Sequence, residues 1–233
     1  MRIIVLIKAG AELEESDACA VEQALRIARR RIDTRVSVLT AGPADCARAL
    51  RAALALGADD GVHVADERIS TSDALTLSRV LATAIRDLGF DLVLCGATTQ
   101  TPNLSVVPAM VAERLGVPAL CHAERIDLGF DSITALCDEG ATLVELAAEL
   151  PALVSVTGFS VPPRYPPFPA VVEARHKLII TRSLDQSSPF SPNALMHSNR
   201  TLCPRSNTII KADRDPHTAA ARLADFLAER QFI

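Results

Sequence analysis

The sequence predicts a doubly wound α/β protein: a parallel sheet with helices on both faces, a small antiparallel extension and a C-terminal arm. Three observations carry this. Strand-like and helix-like segments alternate four times up to Gly116 with short connections, the pattern of right-handed parallel crossovers. Short runs divided by Gly129-Phe130-Asp131 and Asp138-Glu139-Gly140 follow, and such dividers signal hairpins. Apolar residues make up 49% of the chain and aromatics only 3%, with no Trp, so the core must be built from Ala, Leu, Val and Ile. Ala-rich helices against Val/Ile-rich strands are what tightly stacked layers of a parallel sheet require.

In order, residues 2–7 form a continuous apolar run that reads as a buried strand. Asp17 suits an N-cap for a helix over residues 18–31. Residues 35–39 read as the second strand, and Pro43 suits the first turn of a helix that stops at Gly57. Residues 61–65 form the third strand. Ser70-Thr71-Ser72-Asp73 caps a helix ending near Leu88-Gly89. Residues 91–95 are the fourth strand, and a helix follows over residues 103–115. Residues 123–128, 132–136 and 141–147 are the antiparallel runs, and residues 152–156 read as one more buried strand.

From Val161 the text turns to Pro162-Pro163-Arg164-Tyr165-Pro166-Pro167-Phe168-Pro169, which predicts an extended, exposed segment because proline lacks the backbone donor. Residues 183–206 are polar, with little periodicity, and read as an arm. A helix over 216–230 carries an apolar stripe of Ala220, Leu223, Ala224 and Leu227. The expected division is an α/β domain over 1–182 and an arm with a helix over 183–233.

The net charge of −4 and the lack of a basic run beyond Arg29-Arg30-Arg31 argue against nucleic acid. Those three arginines end a helix, where cations complement its dipole. The first residues lack the pattern of a signal peptide, and no apolar run approaches a membrane span. Six cysteines without a C-x-x-C pair point to reduced thiols in a cytoplasmic protein, and no Cys or His spacing suits a metal. There is no G-x-S-x-G elbow, no Walker A lysine and no acid/base constellation, so no catalytic residue is assigned.

In an open α/β sheet, ligands bind where the strand order reverses, at the carboxyl ends of strands. Three segments arrive there: Lys8-Ala9-Gly10, Thr40-Ala41-Gly42 and the stretch from Gly96 to Ser105. The candidate nucleotide-contacting residues are Ala41, Gly42, Gly96, Ala97, Thr98, Thr99, Gln100, Thr101, Asn103 and Ser105. Small residues admit a ligand to backbone N–H groups, and a following helix N-terminus favours a phosphate. Read by spacing alone, the same segments serve equally as ordinary strand-to-helix turns.

Several stretches together resemble a known family. Ala20-Val21-Glu22-Gln23-Ala24-Leu25, the run from Ala49 to Asp59 (ALRAALALGAD), Asp91-Leu92-Val93-Leu94-Cys95-Gly96, and Pro163-Arg164-Tyr165 with Pro169 and Ala174 are similar, in order and in register, to motifs of electron-transfer flavoprotein β-subunits. The likeness runs over about residues 1–180. It implies a Rossmann-like fold of the adenine nucleotide α-hydrolase-like type and no bond-making chemistry of the chain's own. It also implies a heterodimer with an α-subunit, an FAD shared with and mainly held by that subunit, and docking of a flavin-dependent dehydrogenase. The partner-binding residues it implies are Arg164, Tyr165, Phe168 and Pro169. Phe168 stands where the family usually has leucine.

The family's nucleotide loop, in which AMP or a second FAD is held, departs here. Thr101, Asn103, Val106, Val107 and Pro108 stand at positions usually acidic, Gln-Thr or Gly, and only the opening Gly96 is kept. The acidic stretch 12–17 follows Lys8 almost at once and would repel a phosphate. AMP is therefore doubtful: this site binds it weakly, binds something else, or binds nothing. Two further readings remain: an adenine-nucleotide binder of universal-stress type, and a flavin-free partner module on the same fold.

Overall fold

The computed structural model describes residues 1–71, 73–97, 106–139, 142–184 and 215–229. Contacts divide the chain into two units, Met1–Ala194 and Leu195–Ile233.

In the first unit the alternation gives β1 (Arg2–Leu6), α1 (Glu15–Arg30), β2 (Arg35–Gly42), α2 (Ala47–Leu56), β3 (Asp60–Ala65), α3 (Ala74–Leu88), β4 (Leu92–Gly96) and α4 (Val107–Leu115). Strands β5 (Ala119–Leu128), β6 (Ser132–Asp138), β7 (Leu143–Glu149) and β8 (Ala152–Val156) follow, then α5 (Phe168–Ala174) and β9 (Ile179–Ser183). The described strands form one sheet in the order β7-β6-β5-β8-β4-β1-β2-β3-β9. Pairing is parallel from β5 through β8 to β9 and antiparallel only for β5-β6-β7, as the hairpin signals imply.

Period-2 alternation sorts the central strands onto two cores. Ile3, Val5, Val36, Val38, Leu92, Leu94 and Val154 pack with α1 and α2 residues such as Val21, Leu50 and Leu54. Ile4, Leu6, Leu39, Val62, Val93 and Leu153 pack with Leu81, Ile85 and Val111 of α3 and α4. Buried on both faces, these strands need continuous apolar runs. At the end of α4, Gly116 takes the left-handed conformation (φ 71°) that a side chain would oppose.

Two elements differ from the sequence reading. The proline-rich segment does not stay extended throughout: Phe168 opens α5, with Pro167 as N-cap and Pro169 in the first turn, where a missing N–H costs nothing. Beyond it, β9 joins the sheet edge beside β3, pairing Ile179 with Gly61 and Ser183 with Ala65. Two side chains clamp this return. Arg51 Nη1 donates to the carbonyls of Ala174 (2.8 Å) and Lys177 (2.6 Å), and Lys177 Nζ donates to the carbonyls of Ala58 (2.7 Å) and Leu54 (3.3 Å).

In the second unit, α6 (Pro216–Glu229) is opened by Asp215, which accepts from Thr218 Oγ1 (2.5 Å) and from the His217 and Thr218 N–H groups. Ala220, Leu223 and Ala224 of its apolar stripe are exposed. The expected arm over 183–206 lies, beyond Leu184, outside the described residues.

Leu54 is fully buried, whereas Leu223 is 49% exposed. Leu54→Ala is expected to cost about 2–5 kcal/mol in denaturant unfolding and Leu223→Ala less than about 0.5 kcal/mol. Equal losses would contradict this division of the core.

Candidate functional site

From β1 the chain steps to β2 and β3 on one side, and β4 lies on the other, so the carboxyl ends of β1 and β4 form the switch point. The structure gathers Ala41, at the end of β2, and Gly96, at the end of β4, around one small cavity with Lys8, Ala9, Asp17 and Pro108. Its volume is about 90 Å³. Gly42 and Ala97 flank it in sequence, and the Ala97 N–H is committed to Val156 O at 2.7 Å. Thr98, Thr99, Gln100, Thr101, Asn103 and Ser105 lie outside the described residues.

The two glycines here are used for packing. A Cβ on Gly96 would lie 2.5 Å from Asp17 Oδ1 and 2.7 Å from the Asp17 nitrogen. Gly96 is thus small because the first turn of α1 rests on it. A Cβ on Gly42 would lie 2.7 Å from Cys46 Sγ, and the Gly42 carbonyl sits 3.1 Å from Nε2 of buried His63.

Helix α1 starts at Glu15, three residues before the sequence reading, so Asp17 lies inside its first turn and not at the cap. It points into the switch point. Its Oδ2 accepts from the Lys8 N–H (2.8 Å) and its Oδ1 from Lys8 Nζ (2.9 Å). The ammonium spends its other two donors on Ser16 Oγ (2.7 Å) and Glu14 Oε2 (2.9 Å). The Asp17 side chain is 1% exposed and that of Lys8 13%. Burial pulls the Lys8 amine down, but the charge and hydrogen bonds of Asp17 and Glu14 outweigh it and hold the pKa above its ordinary value. A backbone N–H and an ammonium converging on one buried anion are the donors a phosphate would use. Here a carboxylate of the chain itself takes them.

A second candidate surface follows β8. Arg164 turns inward, donating from Nε to Glu22 Oε2 (2.5 Å) and from Nη2 to Oε1 (2.9 Å); Arg26 adds a longer contact at 3.3 Å. Glu22 is 7% exposed on its side chain. Burial pushes its carboxyl up, but the hydrogen bonds and charge of Arg164, with Arg26, hold it below the ordinary value. Arg164 is therefore a positioning residue. It fixes a loop that shows Tyr165 (96% exposed), Phe168 (80%) and, upstream, Phe159 (93%) to solvent. Beside them opens a groove of about 1060 Å³ lined by Leu13, Leu56, Phe159, Pro163, Tyr165 and Val171 among others. Pro169 enters by fixing the first turn of α5. Sequence reasoning passed over Phe159 and the role of Glu22. The only signals were a Phe after Gly158 just before the prolines, and an acid set between the apolar residues in the middle of α1.

No group of three or more His, Cys, Asp or Glu side chains suited to a metal occurs among the described residues. Cys19, Cys46, Cys95, Cys121 and Cys137 are free thiols, and burial pushes Cys95 well above the usual thiol value. No described helix is long and apolar enough to cross a membrane.

The family model described as electron transfer flavoprotein domain matches residues 3–187. The chain is 35% identical over 181 residues to the electron transfer flavoprotein subunit beta of Mycobacterium tuberculosis, covering 76% of this chain and 68% of that protein. It is 36% identical, with the same coverage, to the subunit of that name from Mycobacterium leprae. It is also 28% identical over 177 residues to the acryloyl-CoA reductase electron transfer subunit gamma of Anaerotignum propionicum, covering 73% and 65%.

Asp17→Ala strands a half-buried ammonium and should cost about 3–5 kcal/mol, and Asp17→Asn, which keeps an acceptor, clearly less; equal small losses in denaturant unfolding would contradict the ion pair. Because the Glu22 carboxyl is lowered in the folded state, its contribution is full above the ordinary glutamate value of 4.5 and is lost as pH falls through the folded value. Glu22→Gln should therefore remove roughly 1.5–3 kcal/mol at pH 7 and progressively less as the pH falls below 4.5. A pH-independent loss would contradict this.

Proposed function

The chain belongs to the electron transfer flavoprotein family as a β-subunit, and on that premise we propose that it pairs with an α-subunit and docks a flavin-dependent dehydrogenase through its Phe159-Tyr165-Phe168 surface. The flavin, an FAD held mainly by the α-subunit, supplies the electron chemistry. The chain carries no bond-making chemistry of its own. Its part is to brace the flavin-bearing partner, to offer the docking surface, and to leave its own switch point without a nucleotide.

The observation that carries the docking role is the exposure of three aromatic rings on a segment pinned by a buried ion pair. Large apolar side chains clustered in water mark an interaction site. The prolines and the Glu22–Arg164 pair fix the backbone beforehand, so less entropy is lost on capture. A switch point without a nucleotide is supported by Asp17, whose buried carboxylate already holds the Lys8 N–H and ammonium. This also weighs against a universal-stress type of nucleotide binder. The exposed stripe of α6 and the polar residues 183–206 suit an arm that an α-subunit covers.

Co-expression with the α-subunit tests the reading. The expected product is a yellow heterodimer whose flavin is reduced by its dehydrogenase. A colourless complex would favour the flavin-free module. Within the yellow heterodimer, Phe168→Ala should leave the flavin spectrum and thermal unfolding unchanged. It should raise the KM for the heterodimer in dehydrogenase turnover about 30-fold, a hot-spot loss of roughly 2 kcal/mol. Unchanged docking, or loss of the heterodimer, would refute the anchor role.

A further inference from the structure

At the C-terminal end of α1, the end away from Asp17, a pocket of about 590 Å³ opens between that helix and β5. Four arginines line it, Arg26, Arg30, Arg31 and Arg125, against a single aspartate, Asp127. The lining carries a net charge of +3, or +2 once the Glu22 carboxylate paired with Arg26 (3.3 Å) is counted, in a chain whose net charge is −4. Asp127 offsets little, since it lies 3.8 Å from Arg125 with both side chains about 70% exposed. Among the described residues no carboxylate pairs with Arg30 or Arg31.

Complementing a helix dipole does not require this gathering. Arg31 is not a helical residue: it is the C-cap, in extended conformation (φ −129°, ψ 117°), and its guanidinium lies over the Phe130 ring, 5.7 Å from the centroid. Its Nη1 is buried without a hydrogen-bond partner, and so is Oγ of Ser160, a second residue of the same lining. Two buried polar groups lacking partners, set among guanidiniums that repel one another, are what an anion would satisfy. Phe130 is itself 83% exposed, so the face turned from Arg31 is open to a planar group. The volume is that of a nucleotide-sized ligand.

We propose that this pocket binds a phosphate-bearing small molecule, its phosphate on Arg30, Arg31, Arg125 and Ser160 and a planar body on the open face of Phe130. Guanidinium forks match phosphate oxygens in pairs and remain charged at every working pH. Its lining shares no residue with the switch-point cavity or with the aromatic groove, although Arg26 reaches Glu22 and Ser160 follows Phe159 in the chain.

Calorimetric titration of the flavin-loaded heterodimer with ADP, adenosine and inorganic phosphate tests this. ADP should bind, inorganic phosphate should bind more weakly and compete with it, and adenosine should not bind. Inorganic phosphate binding as tightly as ADP would identify the free ion as the ligand of the same site. Arg31→Gln and Arg125→Gln should each weaken ADP at least tenfold. Phe130→Ala, an exposed substitution that spares the fold, should weaken ADP but not inorganic phosphate. The proposal is overturned if neither ADP nor phosphate binds at millimolar concentration, if the Arg31→Gln/Arg125→Gln double variant binds ADP as before, or if the arginine variants dissociate the heterodimer without changing ADP affinity.

Discussion

The ion pair between Lys8 and Asp17 sets much of what surrounds it. A carboxylate with 1% exposure is tolerable only where donors meet it, and the donors lie on the residue just past β1. Meeting them draws the first turn of α1 down onto the end of β4, which only a glycine at 96 permits. With α1 anchored there, its register is set. Glu22 lies five residues further along, more than a third of a turn round the helix, and faces the loop after β8. There it holds Arg164. One buried anion thus ties the start of α1 to the end of β1, and a second on the same helix pins the loop bearing Tyr165 and Phe168.

The parallel sheet was legible because each central strand is buried on both faces and so reads as an unbroken apolar run, as in Ile3 to Ile7 or Leu92 to Cys95. The antiparallel strands were legible from their turn residues. Strand β9 was not: Ile179–Ser183 is short, half polar and at the sheet edge, and it gains its partner only by pairing with β3, more than a hundred residues earlier. Helix α5 is only 7 residues long and opens on Phe168-Pro169, which reads as a breaker until the ring is seen at a position where no donor is needed.

At the sites, the residue types were legible but not their uses. Gly96 and Gly42 mark close approach in any sequence; what approaches, Asp17 in one case and Cys46 in the other, is settled by tertiary packing. Asp17 has the composition of a helix cap and acts instead as a buried anion, because α1 begins earlier than the first good capping residue. Arg164 sits in a family motif that suggests partner contact, yet its partner is Glu22, and the exposed groups are the aromatics around it.

Under the proposed function, Asp17 holds the donors that a nucleotide's phosphate would use, and the flavin of the pair is the FAD of the α-subunit. The direct measurement is the nucleotide released by denaturing the purified heterodimer, identified and counted by mass spectrometry against protein concentration. The account predicts one FAD per heterodimer and no AMP or second flavin at the switch point. A stoichiometric AMP or second flavin that is retained in the Arg31→Gln/Arg125→Gln variant, and so sits at the switch point, would contradict it.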